Sequence, residues 1–160
     1  MIIPDVNLLL FATITGYLQH ERSRAWLEDV LNGPSLVGLT SPAVFGYIRI
    51  ATNGRVLESA MSVADALGRV RGWLAYPNVR FVLPGPRYLE IALDLLESTG
   101  AAANLTTDIQ LAAHAIEQDA DLHSNDTDFG RFAGLRWVDP LKPSGPVDRP
   151  WARRPSKNAR

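Results

Sequence analysis

Residues 2–11 read Ile2-Ile3-Pro4-Asp5-Val6-Asn7-Leu8-Leu9-Leu10-Phe11, an apolar run broken by one carboxylate. Ile2-Ile3 leading into Asp5 predicts a short strand, with Val6–Phe11 as its apolar continuation. A carboxylate in such a run is at least partly buried, and an ionised group taken out of water needs partners. Asp5 is therefore the residue from which the rest of the chain is read.

Outward from it, short apolar runs alternate with helical patterns. Tyr17 to Leu31 fits a helix, stopped by Asn32-Gly33-Pro34. Leu36–Thr40 reads as a second strand. Ser41-Pro42 offers a cap followed by proline at the first helical position, so Ala43 to Ala51 should be helical. Thr52-Asn53-Gly54 ends it. Ser62 with Asp65 three residues on resembles a capping box for a helix to Leu74. Val79–Leu83 reads as a third strand, Tyr88–Ser98 as a helix closed by Gly100. Thr106 or Thr107 can cap a helix through Ile116, which puts Asp108 in its first turn. Leu122-His123 begins a strand that feeds the loop carrying Asp126 and Asp128, and Leu135–Val138 is a last strand. This alternation predicts an α/β fold with a mainly parallel sheet. Ligands in such sheets sit beyond the carboxyl ends of the strands. Asp5 and Asp126 both fall there.

The chain has 160 residues, 46% of them hydrophobic and 21% charged, which fits one soluble globular domain with its own core. It contains no cysteine, so disulfides and thiolate metal sites are excluded. No apolar stretch reaches the roughly 20 residues of a membrane span. The N-terminus has no basic segment ahead of its apolar run, which argues against a signal peptide and for a cytoplasmic protein. Residues 141–160 hold six basic side chains against Asp148 alone, a balance of +5, whereas residues 1–140 balance at −6. We read 1–140 as the folded domain and 141–160 as a basic, Pro-rich tail. Through Arg153 and Arg154 the tail could add affinity for a polyanion, or it could lie on the acidic body; a solvated extension is the plain alternative.

Asp5, Asp108, Asp126 and Asp128 each stand at the end of an element. Carboxylates so gathered repel one another unless a hard cation sits between them, and oxygen ligands suit Mg²⁺ or Mn²⁺. Such a site lowers the pKa of a bound water and offsets charge on a phosphate. Singly, each aspartate has a plainer explanation: Asp108 as a helix-dipole partner, Asp126 and Asp128 as a turn. The ligand pattern of a calcium loop is absent. His20, His114 and His123 lack metal-ligand spacing, and His114 reads as a packed or solvated helix residue.

Taken together, the motifs resemble the PIN-domain ribonucleases, specifically the VapC-like toxins of bacterial toxin–antitoxin pairs. Asp5-Val-Asn7-Leu-Leu-Leu is similar to the family's D-x-N-(L/V)-L-(L/V) start. Asn104-Leu-Thr-Thr-Asp108-Ile-Gln-Leu-Ala-Ala-His-Ala-Ile-Glu is similar to its N-L-x-x-D-A-x-L-A-A-x-A-x-E helix. Ser124-Asn-Asp126-Thr-Asp128-Phe129, Phe132-Ala-Gly134-Leu and Asp139-Pro140 resemble its T-x-D-x-D-F-x-x-F-x-G-L-x-x-x-x-P close.

The resemblance implies a three-layer α/β/α PIN-like fold and a metal-dependent endoribonuclease toxin that hydrolyses RNA phosphodiester bonds. Asp5, Asp108 and Asp126 would bind Mg²⁺ or Mn²⁺, with Asp128 as a fourth catalytic carboxylate. Asn7 and Ser124 would support them, Ser124 in place of a threonine. A VapB-like antitoxin and a homodimer are implied as partners.

One departure stands out. The family usually has a glutamate on the helix after the second strand, and Gly46 occupies that position; no acidic residue lies between Asp29 and Glu58. With one carboxylate fewer, a single ion is expected rather than two. It also leaves open a catalytically weak module that binds RNA or an antitoxin. Arg49 and Arg55 are candidate RNA-phosphate ligands, with a salt bridge as the alternative for Arg49. Tyr47, Trp26 and Trp73 read as core. A phosphatase or receiver domain is disfavoured, since Asn7 stands where a second aspartate would be needed.

Overall fold

The computed structural model describes residues 1–100 and 105–142. The expectations for Asn104 and for tail residues 143–160, Arg153 and Arg154 among them, lie outside the described residues. Five strands alternate with six helices: β1 (Ile2–Pro4), α1 (Val6–Thr13), α2 (His20–Leu31), β2 (Val37–Thr40), α3 (Ser41–Ala51), α4 (Val63–Leu74), β3 (Val79–Val82), α5 (Tyr88–Thr99), α6 (Thr106–Glu117), β4 (Asp121–His123) and β5 (Arg136–Val138). A 3₁₀ turn spans Thr127–Arg131.

The strands form one sheet in the order β3-β2-β1-β4-β5, and every pair is parallel. Ile2 pairs with Val37 on one side and Asp121 on the other, which makes β1 the central strand. Every residue of β1 and β2 is buried. Successive side chains of a strand point to opposite faces, so burial of all of them means that both faces are covered, as a parallel sheet requires. Edge strand β3 keeps only Val79 and Val82 buried. This is the expected α/β layering.

Three local readings differ from the sequence. Val6–Phe11 continues not as strand but as helix α1, whose Val6, Leu8, Leu9, Leu10 and Ala12 are all buried. A short apolar run does not distinguish a buried strand from a buried helix, and leucine favours the helix. Helix α3 begins one residue early: Thr40, not Ser41, is the cap, its hydroxyl accepting from Ala43 N at 3.3 Å. In α6, Leu105 stands at the cap position and both threonines lie inside the helix, with Asp108 in the first turn. The capping box of α4 forms as read, Ser62 Oγ accepting from Asp65 N at 3.0 Å. Gly100 closes α5 with φ 63°, the left-handed conformation that glycine adopts without strain.

Tyr47, Trp26 and Trp73 are core residues, Tyr47 meeting Trp73 edge-on at 4.9 Å. Leu141 is buried as well, and its carbonyl accepts from Arg22 on α2.

Candidate active site

Asp5 occupies the single residue between β1 and α1. Its N–H donates to His123 O at 2.9 Å, which carries the β1–β4 ladder one step past the strand end. The next residue on the neighbouring strand is Ser124, fully buried. Its hydroxyl donates to Asp5 Oδ2 at 2.6 Å, and accepts from Asp126 N at 2.9 Å and from Asn7 Nδ2 at 3.0 Å. A serine hydroxyl offers one donor and two lone pairs, so all three of its capacities are used. Ser124 is itself fixed by the sheet, with its N–H on Val138 O and its carbonyl accepting from Trp137 Nε1, each at 3.0 Å. Asp126 caps the 3₁₀ turn, Oδ1 accepting from Asp128 N at 2.9 Å.

Two carboxyls show the electrostatic cost of this gathering. Asp5 is pushed up to about 6, chiefly by burial and further by Asp126; the Ser124 hydroxyl and the N–H groups of Val6 and Asn7 hold it back. Asp108, half-buried in the first turn of α6, is also pushed up to about 6. Burial again leads, followed by Asp5, Asp126 and Asp128, while Arg131 opposes them. Asp108 thus feels all three other aspartates from a separate element.

The donor set is oxygen throughout. Asn7 Oδ1 is buried with no hydrogen-bond partner, and the carboxyls nearby repel one another. That chemistry fits a hard cation such as Mg²⁺ or Mn²⁺. As the side chains stand, no three His, Cys, Asp or Glu among the described residues are grouped to hold an ion.

The missing glutamate has a steric counterpart. Gly46 is buried on α3, and a Cβ there would stand 2.7 Å from Val6 Cγ2. The residue next to Asp5 fills the space through which a side chain at 46 would leave the helix. Arg49, in the last turn of α3, and Arg55 beyond it are exposed, and neither pairs with a carboxylate among the described residues.

Neither buried histidine faces the carboxylates as a ligand. His123 Nδ1 accepts from Trp26 Nε1 at 3.1 Å, and its pKa falls to about 4 through burial. The His114 ring lies 4.5 Å from that of Tyr88. Sequence reasoning missed Arg131, whose Nη2 donates to Asp128 Oδ1 at 2.5 Å. It also missed the Trp26–His123 bond that ties α2 to the strand beneath the site. A surface arginine and a packed tryptophan carry no motif that would have flagged either.

A cleft of about 530 Å³ lies elsewhere, between Thr13–Tyr17 and Val56–Met61, and none of the four aspartates lines it.

The PIN domain family model matches residues 2–135. The chain is 58% identical to Ribonuclease VapC33 of Mycobacterium tuberculosis, across 89% of this chain and 99% of that protein. It is 37% identical to Ribonuclease VapC37 of the same organism, across 88% and 97%. Among solved structures, VapBC2 from Rickettsia felis bound to a promoter DNA fragment matches with a TM-score of 0.64 at 17% identity, covering 86% and 98%. Mycobacterium tuberculosis VapC20, a Sarcin-Ricin loop cleaving toxin, matches with 0.63 at 16%, covering 85% and 99%. These two establish the likeness of fold.

Proposed function

The chain belongs to the PIN-domain family, in its VapC branch, and from that premise we propose that it is a metal-dependent endoribonuclease toxin of a toxin–antitoxin pair. The observation that carries the reading is the Ser124 junction: one buried hydroxyl holds Asp5 and the Asp126 loop, in a field that reaches Asp108. Asp5, Asp108 and Asp126 would hold one Mg²⁺ or Mn²⁺, with Asp128 assisting. The ion, when bound, lowers the pKa of a water and offsets charge on the phosphodiester. Ser124 keeps Asp5 oriented through its bond to Oδ2. Asn7, on the first turn of α1, holds Ser124 in place. Arg49 and Arg55, exposed and unpaired among the described residues, would bind flanking RNA phosphates.

The named relatives support ribonuclease action, and the solved VapBC assemblies support a VapB-like antitoxin partner. The cleft between Thr13–Tyr17 and Val56–Met61, lined by polar residues such as Thr13 and Glu58 as well as exposed Val56, offers a seat of mixed character for part of such a partner. A homodimer acting in the cytoplasm completes the reading. No helix among the described residues is long and apolar enough to cross a membrane. The basic tail, 141–160, would add RNA affinity; deleting 145–160 and finding unchanged affinity and cleavage would retire that role.

The contact between Gly46 and Val6 favours a second reading, a PIN module that binds RNA or antitoxin with little cleavage. One experiment separates them. Total bacterial RNA is incubated with purified protein and Mg²⁺ or Mn²⁺, with EDTA, Asp5→Asn and Asp126→Asn as controls. Discrete fragments that vanish in all three controls establish the nuclease. Intact RNA bound by folded protein supports the module.

A further inference from the structure

We propose that Arg131 is the resident counter-cation of the acidic site, serving where a second metal ion would otherwise be needed and passing from Asp128 to the scissile phosphate when RNA binds. The inference rests on the nuclease reading above and deepens it.

Four observations converge on this residue. Its Nη2 donates to Asp128 Oδ1 at 2.5 Å, a charge-assisted contact. Asp128 is itself tied to the site, because its N–H donates to Asp126 Oδ1 and Asp126 N donates to Ser124 Oγ. Three residues, Asp128, Asp126 and Ser124, therefore link the guanidinium to Asp5 through hydrogen bonds. Its charge also acts on the Asp108 carboxyl of α6, where it opposes the upward push of burial and of the other aspartates. Finally, Val6 closes off the position at Gly46 where a further carboxylate would enter.

The charge balance follows. Four carboxylates less one guanidinium leave three negative charges, which one divalent ion reduces to a single one, while a second ion would overshoot neutrality. Arg131 and Asp128 are 46% and 49% exposed, so their pairing is weak in water and breaks at small cost. A guanidinium fork matches phosphate as well as carboxylate geometry. When a phosphodiester arrives, Arg131 exchanges one anion for another and frees Asp128 towards the site. The plain alternative is an i,i+3 surface ion pair. That alternative predicts no effect on metal or RNA.

The test uses the full chain. Mn²⁺ is titrated calorimetrically into wild type, Arg131→Ala and Arg131→Lys, and binding and cleavage of a labelled single-stranded RNA are followed alongside. Arg131→Ala should bind Mn²⁺ about ten-fold more tightly, or take a second ion, because a positive charge has left the site. Its KM for RNA should rise about ten-fold, as expected for loss of one charge-assisted contact. The slope of log affinity against log salt should become shallower by about one, and kcat should fall as well, because a cation held on the scissile phosphate also offsets charge in the transition state. Arg131→Lys should restore Mn²⁺ binding and most of the salt slope. Should the alanine variant not fold, Arg131→Met replaces it. Mn²⁺ affinity and stoichiometry equal to wild type in the uncharged variant overturn the proposal. So do a KM and a salt slope equal to wild type in that variant, which would make Arg131 only a support for Asp128. Failure of the nuclease reading looks different: wild type then neither binds nor cuts RNA, and the Mn²⁺ titration alone decides the role of Arg131.

Discussion

Gly46 faces Val6 so closely that a Cβ on Gly46 would stand 2.7 Å from Val6 Cγ2. The contact joins α3 to the first residue of α1, immediately after the buried carboxylate Asp5. Helix α3 therefore lies against α1 at a distance that only glycine permits. The absent glutamate and the close helix approach are one feature: the chain uses for packing the position at which the family resemblance led to the expectation of an acid.

Gly46→Ala should lower stability. Helix propensity alone would favour alanine by about 1 kcal/mol, but forcing a methyl into a filled contact costs about 1–3 kcal/mol. Val6 is β-branched and confined to one favoured rotamer in a helix, so it cannot simply swing away. A net loss in urea denaturation is expected, and Val6→Ala in the same chain should recover it. An alanine variant as stable as wild type would show that the two helices part easily.

Ser124→Ala leaves Asp5 Oδ2, Asp126 N and Asn7 Nδ2 each short of a partner. Stranding buried polar groups costs about 1–3 kcal/mol, and the loss of a donor lets the Asp5 carboxyl rise further. The acid limb of the cleavage profile should move to higher pH in Ser124→Ala. Ser124→Thr keeps the hydroxyl and should leave the limb in place. Identical profiles for the two variants would remove Ser124 from the control of Asp5.

Most of this fold is legible in the chain because short apolar runs alternate with capped helical patterns, as between Leu36–Thr40 and Ala43–Ala51. Asp5 and Asp126, each just after an expected strand, mark the carboxyl edge of the sheet as its functional edge. Helix α1 reads as a strand's continuation because Val6–Phe11 is apolar but for Asn7, and a single polar residue does not set a period. The Val6–Gly46 contact and the reach of Arg131 to Asp108 depend on how distant elements lie against each other. No local pattern encodes that.

Arg49 and Arg55 differ from Arg131 in having no carboxylate partner among the described residues. Replacing either by alanine should leave the melting temperature unchanged, since an exposed unpaired side chain adds little to the fold. If they hold RNA phosphates, each substitution should reduce the salt slope of RNA binding by about one. Gel-shift titrations at several salt concentrations read this directly. A substitution that lowers the melting temperature with the slope intact would assign the arginine to structure.

Stability of the metal-free protein should rise as pH falls from 7 towards 5. The Asp5 and Asp108 carboxyls ionise at about 6 in the folded chain, above the ordinary value of 3.8. The folded state therefore holds protons that the unfolded chain releases. That contribution is fully present below pH 3.8 and is lost as pH climbs through about 6. Mn²⁺ acts in the opposite sense, because it needs the ionised carboxylates and displaces their protons. Its stabilising effect should be largest near pH 7 and fade below about 6. Asp5→Asn should weaken both trends, having no proton to gain and a poorer ligand to offer. Thermal melts from pH 5 to 8, with and without Mn²⁺, give the two curves. A metal effect that stays constant with pH would mean that the ion binds away from these carboxylates.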